Sequence, residues 1–372
     1  MWMSNTATTL MMMPIVMAVV SQMEARGYPG VKDFATAVLL SIAYGSSIGG
    51  IATLIGTPPN GIFLTQYEGL YPDAPPVGFL QFMMVGVPVA LLFIPITWLL
   101  LTRVLFKVHR IEFPAAREEI QGRLRELGSM SRGEWIVFTI WALTALGWIF
   151  SEDIQIGGRV IYGWSGLFSH PKYINHGTIA ICAAVALFLI PVHPSRGEFA
   201  LDWEWGKRIP WDVLLLFGGG LAMADAFRST GLTLWVGGKL EGLHGMPTIV
   251  VIIAIAAMLN LLTEITSNTA TASIMLPILG GPVAVALGLH PLLLMIPATI
   301  GVSCAFMLPV STPPNAIVFG GGHITVPQMA RAGFLMNLAG ITLITLVTYF
   351  IAVPVFGIDL NAPPAWAAPH AP

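Results

Sequence analysis

The sequence predicts an all-α integral membrane protein, built as an inverted repeat with re-entrant hairpins and two broken transmembrane helices. Three observations lead there. Of the 372 residues, 55% are hydrophobic and 10% charged, against roughly 45–50% and about 25% in soluble domains. The apolar residues come in long blocks, clearest at 88–102, 136–150, 177–192, 248–262, 292–310 and 334–356. Several approach the ~20 residues that a helix needs to cross a bilayer. Two polar motifs also recur in the same order. Ser4-Asn5-Thr6-Ala7-Thr8 returns as Ser267-Asn268-Thr269-Ala270-Thr271, and Thr-Pro-Pro-Asn follows each, 53 and 45 residues later, at Thr57–Asn60 and Thr312–Asn315. The first match extends further: residues 4–15 and 267–278 agree at eight of twelve positions, both ending in Pro-Ile.

The Lys/Arg distribution orients the spans. Arg103, Lys107, Arg110, Arg117, Arg123, Arg125 and Arg132 form the most basic stretch and are assigned to the cytoplasm. Residues 134–150 then cross outward and 177–192 return, leaving Arg196, Lys207 and Arg208 inside; Trp211 to about Phe227 runs outward. Residues 79–102 run inward, so the Tyr67–Pro76 loop, without Lys or Arg, is outside. Arg26 and Lys32 fall inside if the first Ser-Asn-Thr segment enters and leaves from the cytoplasm. In the second half, 248–265 and 270–287 flank the motif and connect to outside regions. Residues 292–310 run inward to Thr-Pro-Pro-Asn, 314–322 finish the crossing, Arg331 is inside, and 334–356 leave. Thirteen Lys/Arg then lie inside and four outside, in agreement with a hairpin topology that is inverted between the halves.

Residues 110–127 have the pattern of an interfacial helix or a solvated connector. Residues 230–246 are expected along the outer surface, and Gly218–Gly220 are expected to pack helices closely. The expected division is 1–106 (first-repeat part of a transport domain), 107–133 (cytoplasmic connector), 134–246 (scaffold helices and interfacial segment), 247–358 (second-repeat part) and 359–372 (disordered tail). The first motif stands three residues after Met1, with no charged n-region or cleavage site. The reading is that the chain lacks its true beginning and holds only the second arm of the first hairpin.

Some classes are excluded. The net charge of −2 gives no hint of nucleic acid. Cys182 and Cys304 each sit in an apolar block, as packing residues. The eight histidines have no metal-ligand spacing, and no nucleophile–base or paired-carboxylate arrangement points to an enzyme.

Thr-Pro-Pro-Asn cannot continue a helix, because two successive residues lack N–H groups and each preceding residue is pushed toward extended geometry. Two such breaks expose free carbonyls on one side, suited to a small hard cation, and free N–H groups on the other, suited to an anion. The Ser-Asn-Thr clusters add oxygens and amide donors without fixed charge. Paired polar breaks at membrane depth mark a transporter whose site lies between repeats. Glu264, three residues before the second cluster, either raises cation affinity, carries a proton, or anchors the hairpin tip. Asp225 reads as a helix-end residue.

At these residues the chain resembles the divalent anion:sodium symporter family, which carries dicarboxylates, citrate or sulfate. The resemblance rests on Ser4-Asn5-Thr6, Gly56-Thr57-Pro58-Pro59-Asn60, Ser267-Asn268-Thr269 and Ser311-Thr312-Pro313-Pro314-Asn315, and it covers essentially the whole chain. It implies an elevator transporter of the plasma membrane, usually a homodimer. It implies Na+ as the co-transported ion, held by Ser4, Asn5 and Gly56 in one site and by Thr263, Asn268 and Ser311 in the other. Asn5, Thr6, Thr57, Asn268, Thr269 and Thr312 would contact the carboxylates of a divalent anion. Succinate or malate leads. Citrate, sulfate, exchange, a Na+/H+ or arsenite-type permease and an inactive fragment stay open. A serine that in the family precedes the first cluster by four residues and helps bind sodium has no counterpart here.

Overall fold

The computed structural model describes residues 1–106, 128–156, 159–207, 246–360 and 362–367, with isolated positions between 108 and 125 and between 215 and 235. The expectations for 110–127, 211–227, Asp225 and 230–246 lie largely or wholly outside these residues, and the close helix packing expected of Gly218–Gly220 is not found at Gly218 or Gly219, where an added Cβ would meet nothing within 4 Å. The described helices are α1 (Asn5–Ala25), α2 (Val31–Ile51), α3 (Pro58–Leu70), α4 (Phe79–Leu99), α5 (Arg132–Ile149), α6 (His176–Leu189), α7 (Thr248–Thr263), α8 (Asn268–Ile278), α9 (Pro291–Val302), α10 (Pro313–Gly320) and α11 (Val326–Val347). Three of them run on through π-turns: α4 through Leu100–Leu105, α8 through Leu279–Val283, and α11 through Thr348–Ala352. In α8 and α11 a proline, Pro282 or Pro354, sits in or just beyond the turn. A missing N–H there is accommodated by the wider ring.

Among the described residues, five continuous helices are long and apolar enough to cross a membrane: 5–25, 31–51, 79–105, 268–287 and 326–356. Their outward faces carry large apolar side chains, among them Leu91, Leu92, Trp98, Phe334 and Phe350. Hydrocarbon, not water, is the solvent those faces fit.

The chain divides into two compact units. One joins residues 1–77, 81–113 and 212–372; the other joins 78–80 and 114–211. In the smaller unit, α5 starts with a capping box between Ser131 and Glu134. It pairs antiparallel with α6: Gly133 lies against Val192, and Trp148 Nε1 donates to the His176 carbonyl (3.0 Å). Two short antiparallel ribbons, β1 (Ile154–Ile156) with β2 (Arg159–Ile161) and β3 (Pro191–His193) with β4 (Glu198–Phe199), depart from the all-α expectation. Both sit in connections beyond the helices.

In the larger unit, α1 runs antiparallel to α2, with Thr9 Oγ1 3.0 Å from Ser46 Oγ. Helix α7 runs alongside α9 in the same direction: Asn260 Nδ2 donates to the Cys304 carbonyl (2.6 Å), and Gly301 touches Ala256. Helix α8 runs back along α9, with Gly280 against Met295. The hairpin α7–α8 therefore opens toward one end of the unit; at its tip Glu264 is buried and Ile265–Ser267 are exposed.

Segments that the charge rule assigns to one side meet at one end. Tyr71 Oη donates to the Gly280 carbonyl (2.6 Å), and the Trp366 ring lies 5.2 Å from His290. At the opposite end, Thr36 Oγ1 donates to the His323 carbonyl (3.0 Å), and His323 Nδ1 lies 3.7 Å from Glu24 Oε1. These are the ends expected outside and inside respectively.

Two boundaries differ from the apolar blocks. Block 292–310 is helical only to Val302, and 303–312 is irregular. The last span begins at Val326, not 334, because Thr325 and Gln328 form a capping box that starts it eight residues early. The tail expected to be disordered over 359–372 includes a described stretch, 362–367, in which Trp366 packs on three rings; 368–372 lie outside the described residues.

Close packing of α11 on the second break requires Gly333, where a Cβ would overlap the Phe306 carbonyl and Met307 Cα, whereas Gly45 faces open space. Gly333→Ala is expected to destabilise by about 1–3 kcal/mol. Gly45→Ala is expected to be neutral or stabilising by up to about 1 kcal/mol. Thermal unfolding in detergent reads both, and equal midpoints would contradict this packing.

Candidate functional site

The two Thr-Pro-Pro-Asn breaks are built alike. Asn60, fully buried, donates through Nδ2 to the carbonyls of Gly50 (3.1 Å) and Thr53 (2.7 Å). Asn315, also fully buried, donates to Ala305 (3.2 Å) and Leu308 (3.0 Å). Each asparagine thus reaches back ten and seven residues. It satisfies carbonyls that a helix ending inside hydrocarbon would otherwise leave unpaired. Thr57 and Thr312 take extended geometry, with φ −150° and −143°, as residues before proline must. The prolines then occupy the first helical positions of α3 and α10, where no N–H is needed.

The clusters dock on these breaks in a crossed pattern. Helix α1 packs on α2 and on α10, while α8 packs on α9 and on α3. Each Ser-Asn-Thr helix therefore touches the first half-helix of its own half and the second half-helix of the other. The pairs run parallel and level. Met13 and Met17 of α1 meet Gly321, just past α10, and Leu70 of α3 meets Gly281, just past α8. Four helix N-termini, at Asn5, Pro58, Asn268 and Pro313, consequently converge at one level, where Pro58 and Pro313 are exposed and Asn5 and Asn268 half-buried. Helix α3, 13 residues long, puts that point roughly 20 Å from the outer end at 1.5 Å per residue.

At the first cluster, Ser4 caps α1 by accepting from Ala7 N (3.2 Å). The Asn5 amide lies on Gly50, where a Cβ would collide with it, and Gly56 in turn lies on the Gly50 backbone. Asn5 Oδ1 is buried without a hydrogen-bond partner. Asn5 and Gly56 are thus brought together at Gly50, while the exposed Ser4 is turned to the cap of α1. Gly50, which makes that approach possible, was not singled out from the sequence; it lies ten residues before Asn60, just inside α2.

At the second cluster, Thr263 Oγ1 lies 2.5 Å from Asn268 Oδ1 and 3.0 Å from the Val302 carbonyl. One hydroxyl proton serves two acceptors, so one oxygen is always left with a free lone pair. Ser311 Oγ donates to the Leu308 carbonyl (2.6 Å) and accepts from Asn315 Nδ2 (3.1 Å). It is tied into the break and makes no bond to Thr263 or Asn268. The Val302 carbonyl, where α9 stops, was invisible in the sequence because the apolar block continues to 310.

Thr312 Oγ1 accepts from Asn315 N (3.2 Å) and caps its own helix, whereas Thr57 makes no such cap bond. Thr6 and Thr269 sit half-buried at the head of their helices. Glu264 is an anchor. Its carboxylate accepts from the N–H groups of Phe306 (2.8 Å), Met307 (3.0 Å) and Leu308 (3.2 Å) and from Asn337 Nδ2 (2.7 Å). Every partner is a donor, and together they pin the irregular 303–312 segment to the hairpin tip. Among the described residues no group of His, Cys, Asp and Glu is arranged to hold a metal ion.

A family model described as the sodium:sulfate symporter transmembrane region matches residues 1–357. The chain belongs to this family. It is 39% identical over 369 residues to the sodium-dependent dicarboxylate transporter SdcS of Staphylococcus saprophyticus, covering 98% of this chain and 69% of that protein. It is 41% identical over 369 residues to the protein of the same name from Staphylococcus aureus strain MRSA252, covering 98% of this chain and 68% of that protein. The family and its apolar helices make the chain a multi-pass plasma-membrane transporter and not an enzyme.

Glu264→Gln would set an amide N–H2 against backbone N–H groups. The expected cost is about 1–3 kcal/mol for the donors left unpaired, seen as a lowered unfolding midpoint in detergent, with Glu264→Asp falling between. An unchanged midpoint in the glutamine variant would reject the anchoring role.

Proposed function

We propose that the chain is a sodium-coupled symporter importing divalent organic anions, with C4 dicarboxylates such as succinate and malate as its substrates. The observation that carries this reading is the convergence of four helix N-termini with two uncharged Ser-Asn-Thr clusters. Helix N-termini attract carboxylates through free N–H groups and the positive end of the dipole. Two clusters match two carboxylates, one each, through Asn5, Thr6 and Thr57 on one side and Asn268, Thr269 and Thr312 on the other. The names of the Staphylococcus relatives support the same substrate class.

Sodium fits the oxygen-rich pockets beside these contacts. Ser4, the unpartnered Asn5 Oδ1 and the Gly56 backbone would hold one ion. Thr263, Asn268 and the Ser311 region would hold the other, joined by the Val302 carbonyl. Each set is neutral and rich in hard oxygen, as a small alkali cation prefers. A dianion entering a site without a protein cation needs such ions alongside it. The full hydrogen bonding of Glu264 argues against a permease cycle in which that residue carries protons.

In this reading the two motif-bearing halves are inverted repeats. Residues 1–106 and 247–358 form the mobile part of an elevator, 134–246 supply scaffold helices, and the working form is a homodimer. The functional test is uptake into membrane vesicles of labelled succinate, citrate and sulfate, with Na+ or with choline replacing it. Succinate uptake that depends on Na+ is expected. Asn5→Ala and Asn268→Ala are each expected to reduce it 100-fold or more, about 3 kcal/mol. Uptake independent of Na+, or preserved in both alanine variants, would overturn the proposal.

A further inference from the structure

The end of the chain folds back over the outer end of the larger unit. Residues 362–364 (Ala-Pro-Pro) lead into a 3-10 turn, Ala365–Ala367, closed by Ala367 N donating to the Pro364 carbonyl (2.9 Å). Successive prolines hold such a segment extended with little entropy left to lose, and aromatic grooves are the surfaces that receive it. Trp366 makes three edge-on contacts, with Tyr67 (centroids 6.0 Å), Tyr71 (5.1 Å) and His290 (5.2 Å). Tyr67 and Tyr71 are themselves fixed by hydroxyl donation to the carbonyls of Pro75 (3.2 Å) and Gly280 (2.6 Å). Beneath the segment lies a cavity of about 320 Å³ between the loop after α3, the start of α9 and the chain end.

His290 is the group whose chemistry depends on this cover. It is the N-cap of α9: its Nδ1 accepts from Leu292 N (3.2 Å). That bond requires an unprotonated Nδ1, and a positive charge there would oppose the helix dipole. The residue is 6% exposed. Trp366 packs on its ring, Tyr67 of α3 and Gln81 of α4 line the same cavity, and Asp359 is the one charged residue lining it. Glu68 and Asp73 of the adjoining stretch do not line it.

We propose that residues 362–367 form an acid-released strap: docked, the strap covers His290 and preserves the cap of α9, and protonation of His290 drives it off. Burial pushes the imidazole down from its ordinary 6.5 to about 4. The sign follows from linkage. The released form binds the proton more readily than the docked form, so docking is at full strength above pH 6.5 and is lost as pH falls from 6.5 toward 4. With an ordinary imidazole in the released form, docking weakens about tenfold between pH 7.5 and 5.5. Charge distribution assigns this end to the outside, so the proton sensed is an external one.

Hydrogen–deuterium exchange of peptides covering 362–367, corrected for intrinsic exchange at pH 7.5 and 5.5, tests the strap in the intact protein. Neither Na+ nor substrate is needed, so the result is independent of the transport proposal. Wild-type protection is expected to fall about tenfold at the lower pH. His290→Asn keeps an N-cap acceptor that does not titrate, and its protection is expected to be the same at both pH values. Trp366→Ala is expected to remove protection at both. Wild-type protection that does not change with pH, an equal loss in His290→Asn, or retained protection in Trp366→Ala would each overturn the proposal.

Discussion

A backbone that stops being helical inside hydrocarbon must find other partners for its N–H and C=O groups. In this chain three side chains meet most of that demand. Asn60 and Asn315 pair carbonyls at the same two offsets in their respective breaks, and Glu264 pairs three consecutive N–H groups in the second. These bonds let α2 and α9 end within the unit and let α3 and α10 begin there. Everything proposed about ions and carboxylates presupposes those four ends. The prolines alone would not suffice, since they prevent helix without specifying what replaces it.

The crossed docking of α1 on α10 and of α8 on α3 has a second consequence. Each cluster packs against a helix from the other half of the sequence, so neither half supplies all the neighbours of its own cluster. Residues such as Gly50 and Gly333 then matter by lacking a side chain, because backbone meets backbone or amide where helices cross. Small residues at contacts are the means by which helices associate closely when the surrounding lipid is as apolar as the side chains.

Much of this was legible in sequence because polar, proline-containing motifs stand out against apolar blocks. Ser4–Thr6, Ser267–Thr269 and the two Thr-Pro-Pro-Asn runs sit where helices start, as expected from residues that cap or cannot continue a helix. What was not legible was set by tertiary partners. The helix ending at Val302 lies within an uninterrupted apolar block, and it stops because Glu264 and Asn315 claim the backbone that follows. The early start of α11, eight residues ahead of the long apolar run, was carried by a local signal, Thr325 with Gln328. The position of Trp366 depends on Tyr67, Tyr71 and His290, up to 299 residues away (366 − 67). Composition registers only that its surroundings are rich in proline and alanine.

The two clusters, alike in sequence, are not alike in bonding. Ser4 caps its helix through its side chain and Ser267 does not; Thr312 caps its helix and Thr57 does not. Asn5 Oδ1 is buried without a partner, whereas Asn268 Oδ1 already sits against a hydroxyl. On the proposed reading, a cation at Asn268 would compete with the Thr263 hydroxyl that already donates to its oxygen. One entering at Asn5 meets an oxygen that is waiting for a partner. Near-identical residues in the two motifs would therefore present unequal costs, since an unpaired buried acceptor gains most from a ligand. The inequality arises from the break beside each cluster, held by an acid in the second half and packed glycine-on-glycine in the first.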